Sequence, residues 1–443
     1  MRIAKPASIS RLLAISTLFI VTAAGVLAQS TPPNPGNTQQ KITIKEAEQI
    51  ALQNNPRVSV SKLLALAEGQ VTREVRSNEL PNAVLNLTAV EPHTGSRLTA
   101  GGLNNPIVYE RAAGGVTVSQ LITDFGRSRN LVASAQLRQK AANSAELATA
   151  EDIVLAVDQA FYTALRSQAL LRVAEETVNQ RQVVADLVRA LTKAKLKSDL
   201  DLSFANVSLS QAKLLLLDAQ NQKDAAFANL NTVLGYEKQR TYLLVDETGG
   251  PLAPPPQNSD QLLAQAFQSR PDLAAIEQQW QASERYRRAE HDLFRPTISA
   301  LAAVGDTPVR PDVVTPWYGA VGVNLSFPVF NGFDFSARAK EADYRAAAMK
   351  QQVRDVRDRI ARDVQVTWMS TNSAYQKVAV AAQLLQQANL ALDLANTRYK
   401  LGLGSIVELS QAQLQQTEAA IGDANARYAY QQSLAELKYQ TGQ

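Results

Sequence analysis

Between Val116 and Gly442 the chain repeats itself under one constant shift of 207 positions. Val116-Thr-Val-Ser119 falls on Val323-Asn-Leu-Ser326. Ser198, Leu202, Ser203 and Ala205 fall on Ser405, Leu409, Ser410 and Ala412, and Gly235 falls on Gly442. Upstream a shift of 215 does the same, placing Ala51, Pro56 and Pro81 on Ala266, Pro271 and Pro296. The shifts differ by eight, so one connection between about 90 and 115 is eight residues longer than its twin. An insertion confined to one spot marks a surface loop. A period of roughly 200 residues is too long for a solenoid and marks a duplicated half-domain. The fold must therefore be built from two like halves, residues 43–236 and 258–443, joined by a linker at 237–257.

Residues 1–28 read as a secretory signal peptide. Arg2, Lys5 and Arg11 make a basic start, Leu12 to Leu27 are mostly apolar, and Val26-Leu-Ala28 offers small-residue cleavage before Gln29. The competing reading is a membrane anchor, which the shortness of the run and Ser16, Thr17 and Thr22 disfavour. Residues 29–42, with Thr31-Pro-Pro-Asn-Pro-Gly, read as a disordered lead. Removing Arg2, Lys5 and Arg11 takes the formal charge from +4 to +1, so no electrostatic footprint for nucleic acid remains. The sequence has no cysteine and only His93 and His291, far apart, so thiolate metal sites, disulfides and cysteine nucleophiles are excluded. Neither a phosphate loop nor a nucleophile elbow is present. The expectation is a protein that is no enzyme and carries no cofactor.

Short helical patterns occupy about 43–54 and 57–79, with twins at about 258–269 and 271–293. Four strand-like segments follow in pairs, at about 82–90 and 114–122 and again at about 297–305 and 317–329. Ala83, Leu85, Leu87 and Ala89 alternate with more polar neighbours, as do Val321, Val323, Leu325, Phe327 and Val329. About 9–11 residues is the length a tilted strand needs to cross a bilayer. Trp317 and Tyr318 at the start of the last strand, and Phe327 and Phe330 near its end, are candidate membrane-boundary aromatics. Strand patterns this short fit a soluble sheet packed on helices equally well.

Long helical patterns fill about 127–195 and 334–401, each followed by a shorter one at about 199–234 and 406–440, with no proline in any of them. A helix of nearly 70 residues spans about 100 Å, which no compact domain holds. Val378, Leu385, Leu392 and Tyr399 repeat every seven, and so do Ala374, Ala381, Ala388 and Ala395. Taken as two adjacent stripes, they let a helix touch a neighbour on each flank, as a closed ring requires, whereas a coiled-coil stalk needs one stripe. An early short helix stacked end to end on a later one would match a long helix in length.

With these features the chain resembles the TolC family of outer-membrane efflux proteins over essentially its whole mature length. The resemblance rests on Ala51-Leu-Gln-Asn-Asn-Pro56 and its twin ending Arg270-Pro-Asp-Leu273, on Phe327-Pro-Val-Phe-Asn-Gly332, and on Arg398-Tyr-Lys-Leu-Gly-Leu-Gly-Ser-Ile-Val-Glu-Leu409 running into Gln411-Ala412. It implies a mainly α protein with a transmembrane β part. Three copies would pool strands into a 12-stranded β-barrel and helices into a 12-helix α-barrel. It implies a homotrimer in the outer membrane, in contact with lipid. The duct would exit to the outside and join a periplasmic adaptor and an inner-membrane pump at its inner tip, for efflux or type I secretion. The competing reading is a periplasmic coiled-coil adaptor or structural protein without a barrel.

The helix-to-helix turns at about 195–199 and 402–406 would form that tip. Gly402 and Gly404 are expected to supply turn conformations that other residues resist, with Lys195 and Lys197 at the twin positions. A branched residue is accordingly expected to do more harm at Gly402 than at Lys195. By resemblance Leu196, Ser198, Leu202, Gly402, Gly404, Ser405 and Leu409 lie where the adaptor docks, and Asp201, Tyr399, Glu408 and Gln411 where the mouth closes. Tyr399 matches the family's tyrosine, but Gly404 stands in place of its arginine and Gln411 in place of its inner carboxylate. Lys193, Lys195 and Lys197 also suit a solvated helix end.

Overall fold

The structure, a computed structural model, describes residues 40–93, 110–238, 240, 242–246, 252–310, 312 and 315–443. The expected signal peptide, nearly all of the lead and most of the longer connection after about 90 lie outside the described residues. In chain order the elements are β1 (Gln40–Ile42), α1 (Ile44–Asn54), α2 (Pro56–Ser77), β2 (Asn82–Val90), β3 (Arg111–Thr123), α3 (Arg127–Lys193) and α4 (Asp199–Val233). After β4 (Tyr242–Leu244) come α5 (Ser259–Ser269), α6 (Pro271–His291), β5 (Thr297–Val309), β6 (Trp317–Ser326), α7 (Asp334–Lys400) and α8 (Ile406–Thr441).

Each half has its own core, and the two are built from twin residues. Ile153, Val157 and Leu230 pack with Ala47 and Ala51 in the first half. Ile360, Val364 and Leu437 pack with Leu262 and Ala266 in the second. β1 pairs with β4, in stretches expected to be irregular lead and linker. Three residues are too few to show a period of two, and what fixes them is burial of Ile42, Tyr242 and Leu244 against Phe161 and Leu230.

Six of the helices form four rods. α3 and α7 are single helices of 67 residues, about 100 Å each. The other two rods are stacked, α2 on the end of α4 and α6 on the end of α8. Asn55 Nδ2 donates to the Val233 carbonyl oxygen at 2.9 Å, and its twin Arg270 reaches the Gln440 carbonyl oxygen at 3.3 Å. The joint is tight because Gly235, at φ +78°, closes α4 against the α1–α2 corner. A Cβ there would lie 2.7 Å from the Asn54 carbonyl carbon. Gly235→Val is therefore expected to cost about 2–4 kcal/mol through left-handed strain and overpacking. A thermal melt checks it against Gly422→Ala, where a Cβ meets nothing within 4 Å and stability should hold or rise.

The helix contacts order the rods as α4 with α2, then α3, then α8 with α6, then α7. The sheet runs β2-β3-β5-β6, all antiparallel, so β2 and α2 share one edge of the protomer and β6 and α7 the other. Along α7, Ala388, Ala395 and Tyr399 are buried in one seam, while Val380, Leu384, Leu390 and Leu394 stay exposed on another stripe. This corrects the two-flank expectation: spacings of four and three, as from Ala374 to Val378 to Ala381, are the a and d positions of one coiled-coil seam.

The strand register sorts the sheet into two unlike faces. One carries Ala83, Leu85, Leu87 and Ala89, then Val116 and Val118, then Ile298, Ala300, Ala302 and Val304, then Val321, Val323 and Leu325. The other carries Asn86, Thr88, Thr117, Ser119, Ser299, Asn324 and Ser326, with small residues and with Val84, Leu121, Leu301 and Tyr318. Trp317 and Tyr318 were expected together at the membrane boundary, but successive residues point to opposite faces. Trp317 lies on the apolar face beside Val116, Val304 and Val321. Tyr318 crosses the polar face over Gly115 and Gly305, which leave it room. β6 ends at Ser326, short of the expected 329, since Pro328 has no N–H for a ladder. Among the described residues no helix is long and apolar enough to cross a membrane, which says nothing of strands.

Candidate functional site: the hairpin tips

α3 turns into α4, and α7 into α8, through the same backbone. Lys195 and Gly402 both adopt left-handed φ, +62° and +75°. At each, the N–H of the next residue closes a six-residue ring: Leu196 N donates to the Leu191 carbonyl at 2.9 Å, and Leu403 N to the Arg398 carbonyl at 2.8 Å. That is a Schellman ending, whose left-handed position favours glycine. A serine then opens each second helix. Ser198 Oγ accepts from Asp201 N at 3.1 Å while Asp201 Oδ2 accepts from Ser198 N, closing a capping box. Ser405 Oγ accepts from Glu408 N at 3.1 Å, but the Glu408 carboxylate meets Arg398 Nε at 3.2 Å instead.

Two expectations change here. Only Gly402 of the two glycines needs its freedom, since Gly404 has no positive φ. Lys195 sits in the same left-handed well, so a branched residue there is as strained as one at Gly402, and the expected leniency at Lys195 does not hold.

The tips meet in a common core of Val188, Ala205, Leu209, Ala395, Tyr399, Ile406, Leu409 and Ala412, with Leu202 half-buried against it. Leu409 is 1% exposed, so it holds the hairpins together and cannot touch a docking partner. The exposed apolar side chains include Leu196 in the first turn with Leu200 and Val207 on α4, and their twins Leu403 in the second turn with Val407 and Leu414 on α8. Sequence reasoning passed over five of these six. The available signal was the spacing of seven from Leu200 to Val207 and from Val407 to Leu414, which keeps one helical face apolar in both halves while alanine and leucine fill the seam.

The residues expected to close the mouth are only partly together. Tyr399 is buried, its hydroxyl has no hydrogen-bond partner among the described residues, and burial followed by the charge of Asp201 raises its pKa. Its ring receives the first hairpin instead: Lys197 Nζ lies 4.7 Å from the ring centroid, a cation–π contact. Asp201 and Glu408 are engaged in capping and with Arg398, and Gln411 is exposed. Higher up, buried Arg181 links the hairpins, Nη1 donating to Ser208 Oγ at 2.7 Å and to Gln413 Oε1 at 2.6 Å. With no carboxylate beside it, burial lowers its pKa to about 10.

The family described as "Outer membrane efflux protein" matches residues 48–236 and 262–443. Protein CyaE of Bordetella pertussis is 25% identical over 424 residues, covering 90% of this chain and 84% of that protein. Outer membrane protein TolC of Escherichia coli K12 is 23% identical over 420 residues, covering 88% and 80%. Among solved structures, the outer-membrane channel OprN superimposes with a TM-score of 0.79 at 17% identity, over 90% of this chain and 89% of that one. The open state of the Neisseria gonorrhoeae MtrE outer membrane channel gives 0.76 at 20% identity, over 90% and 88%.

Proposed function

This chain belongs to the outer membrane efflux protein family, and from that premise we propose that three copies close into one duct, a 12-stranded barrel in the outer membrane continued by a 12-helix tunnel in the periplasm. It is an outer-membrane efflux channel and not an enzyme. The observation that carries the proposal is the pair of open edges. Among the described residues β2 and β6 each have one partner, and a sheet with an apolar face cannot leave backbone N–H and C=O groups unpaired in lipid. The edges differ, so a copy must offer its β6 edge to the β2 edge of the next, a head-to-tail contact that closes into a ring. Four strands fall below the roughly eight a barrel needs, and three copies supply twelve. The helical edges support the same closure, with Leu63, Leu64 and Leu214 exposed on the α2–α4 edge and Leu384 and Leu394 on α7.

Trp317, Phe327 and Phe330 then sit at the bilayer boundaries, and Tyr318 faces the lumen. The tip turns dock the hairpins of a periplasmic adaptor, which joins the duct to an inner-membrane pump. The docking surface is the exposed leucine and valine stripe with Ser198, Gly402 and Ser405, while Tyr399, Lys197, Arg181 and Gln413 hold the two hairpins of a protomer together. Small molecules or proteins pass through a wide, watered lumen. A coiled-coil adaptor has no use for the four-stranded sheet. Native mass spectrometry in mild detergent is expected to give a trimer, with strand signal and trimer lost together on heating. A stable, fully folded monomer overturns the proposal.

A further inference from the structure

Twin positions carry unlike chemistry where each short helix lies on its long rod. α1 packs on α3 with Glu48 against Asp158, and the shifts of 215 and 207 lay these two on Leu263 of α5 and Gln365 of α7. α5 packs on α7 with no acid at either place. The joint between helix and rod therefore needs no carboxyl, yet the first half carries two.

The two carboxyls stand at a cleft of about 500 Å³ between α1, α3 and α8. Asp158 Oδ1 is buried, and no donor among the described residues reaches it. The group in hydrogen-bond contact with Asp158 is the Glu48 side chain. Ionised carboxylates only accept, so this contact requires a proton on one of the two.

The charges facing the pair come from three helices: Lys45 from α1, Glu151 from α3 and Lys438 from α8. Tyr162 of α3 and Tyr439 of α8 complete the titratable wall, with Tyr439 Oη donating to Asp152 Oδ1 at 2.6 Å. Burial first, and then the charge of Glu48, push the Asp158 carboxyl up to about 7, with Lys438 opposing. Glu151, two turns earlier on α3, is raised as well, by burial and then by Asp272.

We propose that Glu48 and Asp158 form a proton-operated clasp, which holds α1 on α3 while the pair shares a proton and lets α1 loosen when that proton is lost. With both carboxyls ionised, two like charges meet across the joint and Oδ1 stays buried with no donor. A carboxyl whose pKa is raised in the closed joint lends stability that is fully present below the ordinary carboxylate range. That contribution falls as pH rises and is lost by the time pH has passed about 7. α1 runs through Asn55 into α2, and Asn55 Nδ2 holds the Val233 carbonyl at the end of α4, so a loosened α1 loosens the joint of the first stacked rod. The second half lacks the pair, so the effect is confined to one half. The clasp lies inside one protomer and does not depend on three copies closing into a barrel.

Hydrogen exchange of the protein extracted in mild detergent, read by mass spectrometry, tests the clasp. Exchange in α1 is referred to α5 of the same sample, which cancels the pH dependence of the exchange chemistry itself. Because an opened α1 returns Asp158 to the ordinary carboxylate pKa, opening of α1 relative to α5 is expected to rise roughly tenfold between about pH 6 and 8. The double variant Glu48→Leu with Asp158→Gln copies the second half and is expected to keep α1 closed with a flat pH response. Asp158→Asn, which can donate to Glu48 at every pH, is expected to do the same and serves if the double variant does not fold. Infrared spectra read the proton directly: the carbonyl band of protonated carboxyl fades in the native chain as pH rises through neutrality, and both variants lack the intensity of one carboxyl per chain. A flat exchange ratio in the native chain overturns the clasp, and so does an unchanged pH response in the variants.

Discussion

Val321→Arg is expected to remove the protein from the outer membrane. Val321 is midway along β6, on the mainly apolar face, and 89% exposed in the protomer. A cation on the lipid face of a barrel costs about 2–4 kcal/mol at the midplane and about 0–1 near the boundary. Leu325→Arg, one residue from the strand's end, should therefore cost less than Val321→Arg although the face is the same. Asn324→Arg and Ser326→Arg turn the same charge into the lumen and should leave folding nearly unchanged. The trimer recovered from outer membranes across a urea series measures all four. Equal tolerance at Val321 and Asn324 would mean that this sheet does not meet lipid.

That test depends on the face assignment, which the sequence carried for the alternating residues though not for the Trp317–Tyr318 pair. Alternation names the apolar set of each strand, and antiparallel pairing then has one register that puts all four sets on one side, because a slip of one residue reverses a strand. Helix extents were legible for a similar reason. Proline-free, alanine-rich runs stop where Lys195 and Gly402 break them, and Pro56 and Pro271 open the stacked helices. What escaped depends on contacts distant in sequence. β1 and β4 are ordered by Phe161 and Leu230, far from either strand. The heptads of α7 were legible too, since spacings of four and three put both rows in one a/d seam, and the two-flank reading came from counting those rows as two faces.

At the tip the sequence located the turns and missed the sides. Leu196 and Leu409 match the family motif equally well, yet one is 70% exposed and the other 1%. The difference comes from the first hairpin, which covers Leu409 with Val188 and Leu209. Lys195 misled because a lysine signals tolerance of a side chain, while its φ shows that the turn, and not the residue, decides the conformation. The Lys197–Tyr399 contact joins residues of opposite halves, which no local motif links.

Gly402→Val is expected to leave trimers in the outer membrane and abolish export. At φ +75° a β-branched residue either holds about 1–3 kcal/mol of strain or opens the turn. Spread over a whole trimer that is small, but 1.4 kcal/mol is tenfold in affinity, and adaptor docking depends on where Leu403 and Val407 are presented. A Cβ at Gly402 meets no atom within 4 Å, so the effect is on the backbone and not a clash. Lys195→Val should do comparable harm on the other hairpin. Lys195→Gly should instead stabilise its turn by about 1 kcal/mol, because the left-handed well no longer opposes a side chain. If the turns dock by shape, Lys195→Gly keeps or improves adaptor cross-linking. If they dock by charge, the lost lysine weakens it despite the easier backbone. Trimer level, adaptor cross-linking and export in the three variants separate these outcomes, and normal export from Gly402→Val would show that this turn is not where the adaptor docks.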